Sequence, residues 1–289
     1  MHAPRSRFDV TLVTHAALPQ GAPDDRLLAA ALRSEGLDVR FAVWNDQSVD
    51  WRASRLAIVR SAWDYHRQPR AWATWLREAG SCTRLLNPPD VLAWSTDKRY
   101  LRDVQAAGVA CVPTWFAEHG VIPTLPRRGI ETWIVKPAIG ASAHAVQRFA
   151  AEEFAGQGLD YGRALARKGA VLFQPYLRQV ETLLERSLVF IAGECSHAFT
   201  KPAFSTDAAG RTAVQLYTPS ATELRLARRA LAAVSEPTLY ARIDLVPTQD
   251  GPLLMELELI EPDLALRLQP HSAVTLARAC LYELAQSEY

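Results

Sequence analysis

Residues 240–261 read YARIDLVPTQDGPLLMELELIE. Two strand-like runs flank Gln249-Asp250-Gly251, a turn signal, so the stretch reads as a β-hairpin. Side chains two apart on a strand point the same way. Glu256 and Glu258 therefore share one face, and Leu257 and Leu259 the other. Asp244, on the first strand, reaches the acidic face across the turn. Three carboxylates on one sheet surface repel one another unless a cation sits between them. Oxygen-only ligands favour a hard ion such as magnesium, which usually serves a phosphate. The spacing alone leaves a second reading open, in which this is the solvated polar face of an amphipathic hairpin.

Outward from the hairpin, the order of elements indicates an α/β layer followed by α+β structure. Residues 8–15, 37–44 and 55–61 read as strands, with a helix around 26–33 that stops near Gly36 and another over 69–79. Ligands of such a layer sit at the carboxyl ends of its strands, where Arg60, Ser61, Trp63, Asp64 and Tyr65 lie. Leu86-Asn87-Pro88-Pro89 breaks the chain. Beyond it come a helix over 96–107, strands near 110–117, 132–137 and 144–149, a helix over 151–168 and a strand at 170–177. A hairpin over 186–201 and a helix over 221–235 lead to the acidic hairpin, and a last helix begins at His271. This divides the chain into an N-terminal α/β unit (1–92), a middle unit (93–176) and a C-terminal unit (177–289).

Composition excludes several classes. The 289 residues are 49% hydrophobic and 22% charged, enough apolar material for a core, so disorder is not the dominant state. Lys plus Arg is 32 against 31 Asp plus Glu, a net charge of +1, so the footprint of generic nucleic-acid binding is absent. The four cysteines, Cys82, Cys111, Cys195 and Cys280, form no CxxC pair, which points to thiols in a reducing cytoplasm rather than a disulfide scaffold or zinc site. No apolar run reaches the ~18 residues of a membrane span. No GxSxG elbow marks a hydrolase, and His197, within a strand, reads as a satisfied core or edge histidine.

Other stretches carry weaker signals. In Trp133-Ile134-Val135-Lys136-Pro137 a lysine ends an apolar strand, and the small residues 138–143 follow; backbone amides there and Lys136 suit phosphate oxygens. The alternative is an ordinary strand end, since no P-loop or GxGxxG is present. Phe173-Gln174-Pro175-Tyr176-Leu177 offers backbone donors and acceptors of the kind an adenine edge needs, with Glu181 placed for ribose hydroxyls. Lys98 taken alone reads as a surface lysine.

In order, these pieces resemble the ATP-grasp superfamily, in its glutathione-synthetase and ribosomal-protein-glutamate-ligase branch. The likeness runs through Asp97-Lys98-Arg99-Tyr100-Leu101, Val135-Lys136-Pro137, the 173–177 stretch, and Arg242-Ile243-Asp244 with Glu256-Leu257-Glu258. Residues 59–66, Asn87-Pro88, Ser187-Leu188-Val189-Phe190, Ser196-His197-Ala198 and Glu256 to Pro262 resemble the cyclo-ligase subgroup of cycloserine biosynthesis. The resemblance implies an ATP-grasp fold with an N-terminal open parallel α/β domain and two α+β subdomains, and an ATP-dependent carbon–nitrogen ligase. It places ATP against Lys98, Lys136, Gln174, Pro175, Tyr176, Leu177 and Glu181, and two magnesium ions on Asp244, Glu256 and Glu258. Arg242 and Lys201 would face the acyl phosphate or substrate carboxylate, and Arg60, Ser61, Trp63, Asp64 and Tyr65 a small amino-acid-like substrate. A homo-oligomer in the cytoplasm is the associated expectation. Three departures stand out: Glu258 where many relatives carry Asn, a single glycine (Gly140) in the loop after Lys136, and Arg186 preceding the Ser-Leu-Val-Phe strand, either a phosphate contact or merely exposed.

Overall fold

The computed structural model describes residues 7–126, 128–202 and 214–286. Its first sheet is parallel, in the order β2-β1-β3-β4, from β1 (Phe8–Thr14), β2 (Val39–Val43), β3 (Ser54–Ser61) and β4 (Arg84–Leu86). The crossover helices are α1 (Pro23–Ser34) and α2 (Pro69–Gly80). The central strands β1 and β3 are buried along most of their length, as strands covered on both faces must be. Leu28 and Leu32 of α1 pack with Val10 and Leu12. On the other face, Trp72 and Trp75 of α2 stack at 4.8 Å, and Trp44 meets Trp72 edge-on at 5.4 Å. These tryptophans and Tyr65 form a core of their own.

The helix expected over 96–107 is in fact two, α3 (Pro89–Ser95) and α4 (Tyr100–Ala106). Between them the Thr96 hydroxyl donates to the Leu92 carbonyl (2.8 Å), and the Asp97 carboxylate accepts from the Arg99 amide (3.0 Å). Short polar side chains that bond the backbone locally compete with a continuing helix. Lys98 consequently stands in a turn, with its side chain directed inward.

The second sheet is antiparallel, in the order β5-β8-β6-β7: β5 (Trp115–Ala117), β6 (Thr132–Pro137), β7 (Gln147–Ala150) and β8 (Val171–Pro175). The first of these is shorter than expected, because Cys111 bridges Leu254 of the acidic hairpin instead. A short α5 (Ala151–Glu153) runs through a π-helical turn, Phe154–Gly158, into α6 (Leu159–Ala166). Gly162 lets α6 lie against β8: a Cβ there would stand 2.5 Å from the Phe173 ring. Gly162→Ala is expected to cost about 1–3 kcal/mol through overpacking. A thermal melt checks this, and an unchanged melting temperature would contradict the close approach.

A short α7 (Gln179–Leu183) precedes the third sheet. This sheet is antiparallel, in the order β11-β10-β9-β12-β13, from β9 (Glu185–Ile191), β10 (Glu194–Lys201), β11 (Gln215–Leu216), β12 (Tyr240–Thr248) and β13 (Gly251–Glu258). Between its strands lies α8 (Ala221–Ala232), opened by a capping box in which Ser220 and Glu223 satisfy each other's backbone amides. The chain closes with α9 (His271–Gln286). One face of the sheet, with Leu188, Ile243 and Leu257, packs on Leu226 and Ala230 of α8 and Leu101 of α4. The other face carries Val189, Ile191 and Tyr240 against the α1 core of the first sheet and Leu276 of α9.

Asn87 ties the first and third sheets together. Fully buried, it donates to the carbonyls of Tyr240 (3.0 Å) and Leu259 (2.7 Å) and accepts from the Leu239 amide (2.7 Å).

Candidate active site

The β12–β13 register pairs Asp244 with Glu256 and Arg242 with Glu258. Directly paired residues share a face, so these four side chains crowd one surface, as the spacing predicts for the three carboxylates. Ser187 of β9 lies opposite Asp244 on the other side. Asp244 is buried with both oxygens engaged. One accepts from Ser187 Oγ (2.7 Å) and Arg242 Nε (3.0 Å); the other accepts from Lys201 Nζ (2.8 Å) and Arg242 Nη2 (2.9 Å). Arg242 also bonds Glu258 and the Asp263 carbonyl, and Lys201 lies 3.3 Å from Glu185. Burial alone would raise the Asp244 pKa, but Arg242 and then Lys201 overcome it and hold the carboxyl well below its usual range.

This changes the expectation that the carboxylates need an ion between them. The chain's own cations fill that role, and among the described residues no group of three or more His, Cys, Asp or Glu side chains is arranged as a metal cage. The charge is nevertheless unevenly met. Burial, with Asp244 and Glu256 acting against the pull of Arg242, pushes Glu258 up to about 7. Burial and then Glu258 push Glu261 up to about 8. The surplus of carboxylate oxygens beside Glu256 and Glu258 fits a hard divalent cation.

Lys98 and Lys136 approach the same surface from outside the hairpin. Lys98 Nζ lies 3.0 Å from Glu256 Oε1 and donates to the Gly140 carbonyl at 2.6 Å. Its burial opposes the charge, yet Glu256 outweighs this and raises its pKa. Lys136, at the end of β6, goes the other way: burial lowers it, Glu256 pulls it up and Lys98 opposes. The two lysines thus flank Glu256, one from the α3–α4 turn and one from the second sheet. Tyr100, whose role the sequence did not signal, accepts from the Leu257 amide at 2.9 Å and anchors that turn to β13. Its position two residues after Lys98 was the available clue.

The remaining candidates fall into two groups. Around the end of β8, Gln174 spends its amide on Thr114 (2.8 Å), so a nucleotide base would have to meet backbone here. Pro175 ends the strand, the Tyr176 amide donates to Thr132 (2.8 Å), and Leu177 packs with Val112 and Val180. Glu181 accepts from the Tyr176 hydroxyl (2.9 Å) and pairs with Arg148 (3.3 Å). At the end of β3, Arg60 is 2% exposed, donates to the Pro262 carbonyl (3.0 Å) and lies 3.3 Å from Asp25. Ser61 is fully buried against Thr14 (2.9 Å). The Ser61 hydroxyl is thus bonded inside the protein, whereas Arg60 bonds through Nη2 and keeps Nε and Nη1 buried without a well-formed hydrogen bond among the described residues. Trp63 donates to the Glu261 carbonyl (3.1 Å), and Asp64 accepts from Trp44 (2.7 Å) instead of capping the next turn. Tyr65 is buried, close enough to the acidic cluster that Glu261, Glu256 and Glu258 add to burial in raising its pKa. Arg186 points away from the site, pairs with Glu223 of α8 (2.6 Å) and lies over Tyr217. It alternates with Ser187 on β9, so it belongs to the opposite face. A cavity of about 570 Å³ at the edge of the third sheet, lined by Cys195, His197, Tyr217 and Arg228 among others, contains none of the acidic cluster.

With this geometry, known proteins give a consistent comparison. Residues 10–87 match the family model described as the D-cycloserine synthetase DcsG, N-terminal domain. The cycloserine biosynthesis protein DcsG of Streptomyces lavendulae is 29% identical over 271 residues, which cover 87% of this chain and 91% of that one. A crystal structure of D-cycloserine synthetase DcsG superposes with a TM-score of 0.84 at 28% identity, covering 95% of this chain and 99% of that one. The RimK domain ATP-grasp protein of Sphaerobacter thermophilus follows the same path with a TM-score of 0.67 at 16% identity, over 94% of this chain and 98% of that one. The chain has the ATP-grasp fold. The three sheets of this fold meet at the charged surface just described. Among its described residues no helix is long and apolar enough to cross a membrane.

Proposed function

We propose that the chain uses ATP and magnesium to activate a carboxyl or similar carbonyl oxygen of a small amino-acid-like substrate as an acyl phosphate, releasing ADP, and closes a C–N bond to an amine-type nucleophile of the same molecule as phosphate and the nucleophile's proton leave. The observation that carries this is the alternation of cations and carboxylates on one buried face, Lys98–Glu256 at 3.0 Å beside Lys201–Asp244–Arg242 and Glu258. The likeness to cycloserine synthetase over nearly the whole of both chains supports the intramolecular form.

Lys98 and Lys136 bind the nucleotide phosphates, with a phosphate oxygen replacing the Gly140 carbonyl on Lys98. The backbone from Gln174 through Pro175 and Tyr176 to Leu177 holds the adenine, and Glu181 turns to the ribose. Glu256 and Glu258 would hold magnesium, with Asp244 beside them as a third carboxylate. When bound, that ion neutralises charge on the transferred phosphate. Arg242 and Lys201 orient the oxygen being phosphorylated and stabilise the charge that develops on it. Trp63, Asp64 and Tyr65 form the substrate wall. Burial of these charges excludes water, which would otherwise hydrolyse the activated acyl group. The 1–92, 93–176 and 177–289 units serve substrate, nucleotide and metal respectively.

Phosphate release from ATP and magnesium, screened with amino-acid, ureido and dipeptide-like compounds singly and in pairs, tests the reading. Release with a single compound, and a cyclic product, is the expected result. Release that needs two compounds would replace cyclisation by amide ligation. A stable phosphoester product would overturn the ligase chemistry.

A further inference from the structure

The loop after β6, residues 138–146, is held in an unusual way. Ser142, Ala143 and Ala145 adopt positive φ values of 51°, 55° and 55°. Such conformations are unfavourable for residues with a side chain and persist only where the surroundings impose them. The surroundings here come from three elements. Ile139 and Ala141 pack on the tryptophan core of the first sheet. The Tyr161 hydroxyl of α6 donates to the Ala145 carbonyl at 2.8 Å. The ring of His144 lies 4.9 Å from that of His66, which follows the substrate-facing end of β3.

Neither His66 nor His144 has a role in the chemistry above. The two ring nitrogens of His66 are buried without a well-formed hydrogen bond among the described residues. The cost of burying an unbonded imidazole makes its contact with His144 a specific feature of the docked loop. The same loop presents the Gly140 carbonyl to Lys98.

We propose that His66 is a positioning residue: through His144 it holds loop 138–146, which follows the Lys136 that binds nucleotide phosphates in the reading above, against the substrate end of the first sheet. A loop already ordered loses less freedom when nucleotide binds. Substrate-side and nucleotide-side elements are thereby joined at one aromatic contact. The contact is also sensitive to acid. Burial first, then His144 and Arg67, lower the His66 pKa against the weaker opposing pull of the Trp63 carbonyl and Asp64, while the Tyr65 ring covers another side. The docked value therefore lies below the ordinary value of about 6.5. Docking is complete above that pH and weakens as pH falls and the released, protonated form gains.

The test compares the full-length protein with His66→Ala and His66→Phe. Hydrogen exchange of amides 139–146 is measured without nucleotide at about pH 7.5 and about pH 5.5, either side of the imidazole range, and Mg·ADP affinity is measured by calorimetry. At the higher pH, His66→Ala should exchange roughly tenfold faster in this loop, the scale of one aromatic contact, and bind Mg·ADP severalfold more weakly. At the lower pH the unmodified protein should approach His66→Ala, whereas His66→Phe, which packs but does not titrate, should keep its protection at both. Unchanged loop exchange in a folded His66→Ala protein, or equal pH dependence in His66→Phe and the unmodified protein, would overturn the proposal. Failure of the unmodified protein to bind Mg·ADP would instead overturn the nucleotide reading on which the proposal rests, since the exchange data judge the latch separately.

Discussion

Glu256→Gln is expected to reduce ATP-dependent phosphate release by about a thousandfold while the protein keeps its fold. The two side chains have nearly the same shape, and the glutamine oxygen can still accept from Lys98, 3.0 Å away in the unmodified protein. What disappears is a full negative charge at the point where Lys98 and Lys136 both converge. Glu256 is the carboxylate that outweighs the burial of Lys98 and the main pull upward on Lys136. Without it the proposed magnesium loses an anionic ligand and the two lysines lose their shared counter-charge. The checks are steady-state phosphate release beside circular dichroism and a melting curve. Full activity in a folded variant would remove Glu256 from the metal set and with it most of the proposed mechanism.

The second large effect is on stability. Asn87→Ala strips partners from the Leu239 amide and from the Tyr240 and Leu259 carbonyls, all inside the protein. Each buried backbone group left unbonded costs about 1–3 kcal/mol, so about 3–6 kcal/mol is expected for the set once some water enters. Urea unfolding should show a lower midpoint at an unchanged slope. A loss under about 1 kcal/mol would mean that the side chain does not join the first and third sheets. Asn87→Asp keeps an acceptor for the Leu239 amide but sets a buried carboxylate oxygen against the Tyr240 and Leu259 carbonyls, and should be at least as destabilised as Asn87→Ala. The loss follows from a single residue that makes hydrogen bonds with three separate backbone groups at the ends of β12 and β13.

Much of the fold and of the candidate site is legible in the residues alone. The acidic hairpin can be read because a strand repeats every two residues and a short polar turn interrupts it, so the shared face of Glu256 and Glu258 needs no tertiary information. Arg242 belongs to that face by the same rule, being two residues from Asp244; counting only carboxylates suggests an absent cation where the chain supplies its own. The break of the 96–107 helix is hidden because Thr96 and Asp97 redirect hydrogen bonds locally without disturbing the apolar pattern. Arg60 and Ser61 sit at the expected strand end, but whether a strand-end side chain faces a ligand or a neighbouring sheet is invisible to periodicity.

The sequence by itself determined most of the strand and helix order and the acidic face, because these follow from local periodicity and residue chemistry; Lys98 and Lys136 were joined to that face only by the family resemblance. Only the tertiary structure decided that Lys201 and Arg242 share Asp244, that Lys98 meets Glu256 from a turn, and that His66 touches His144. Each of these contacts depends on sheet register and on how three sheets pack, which no local pattern specifies.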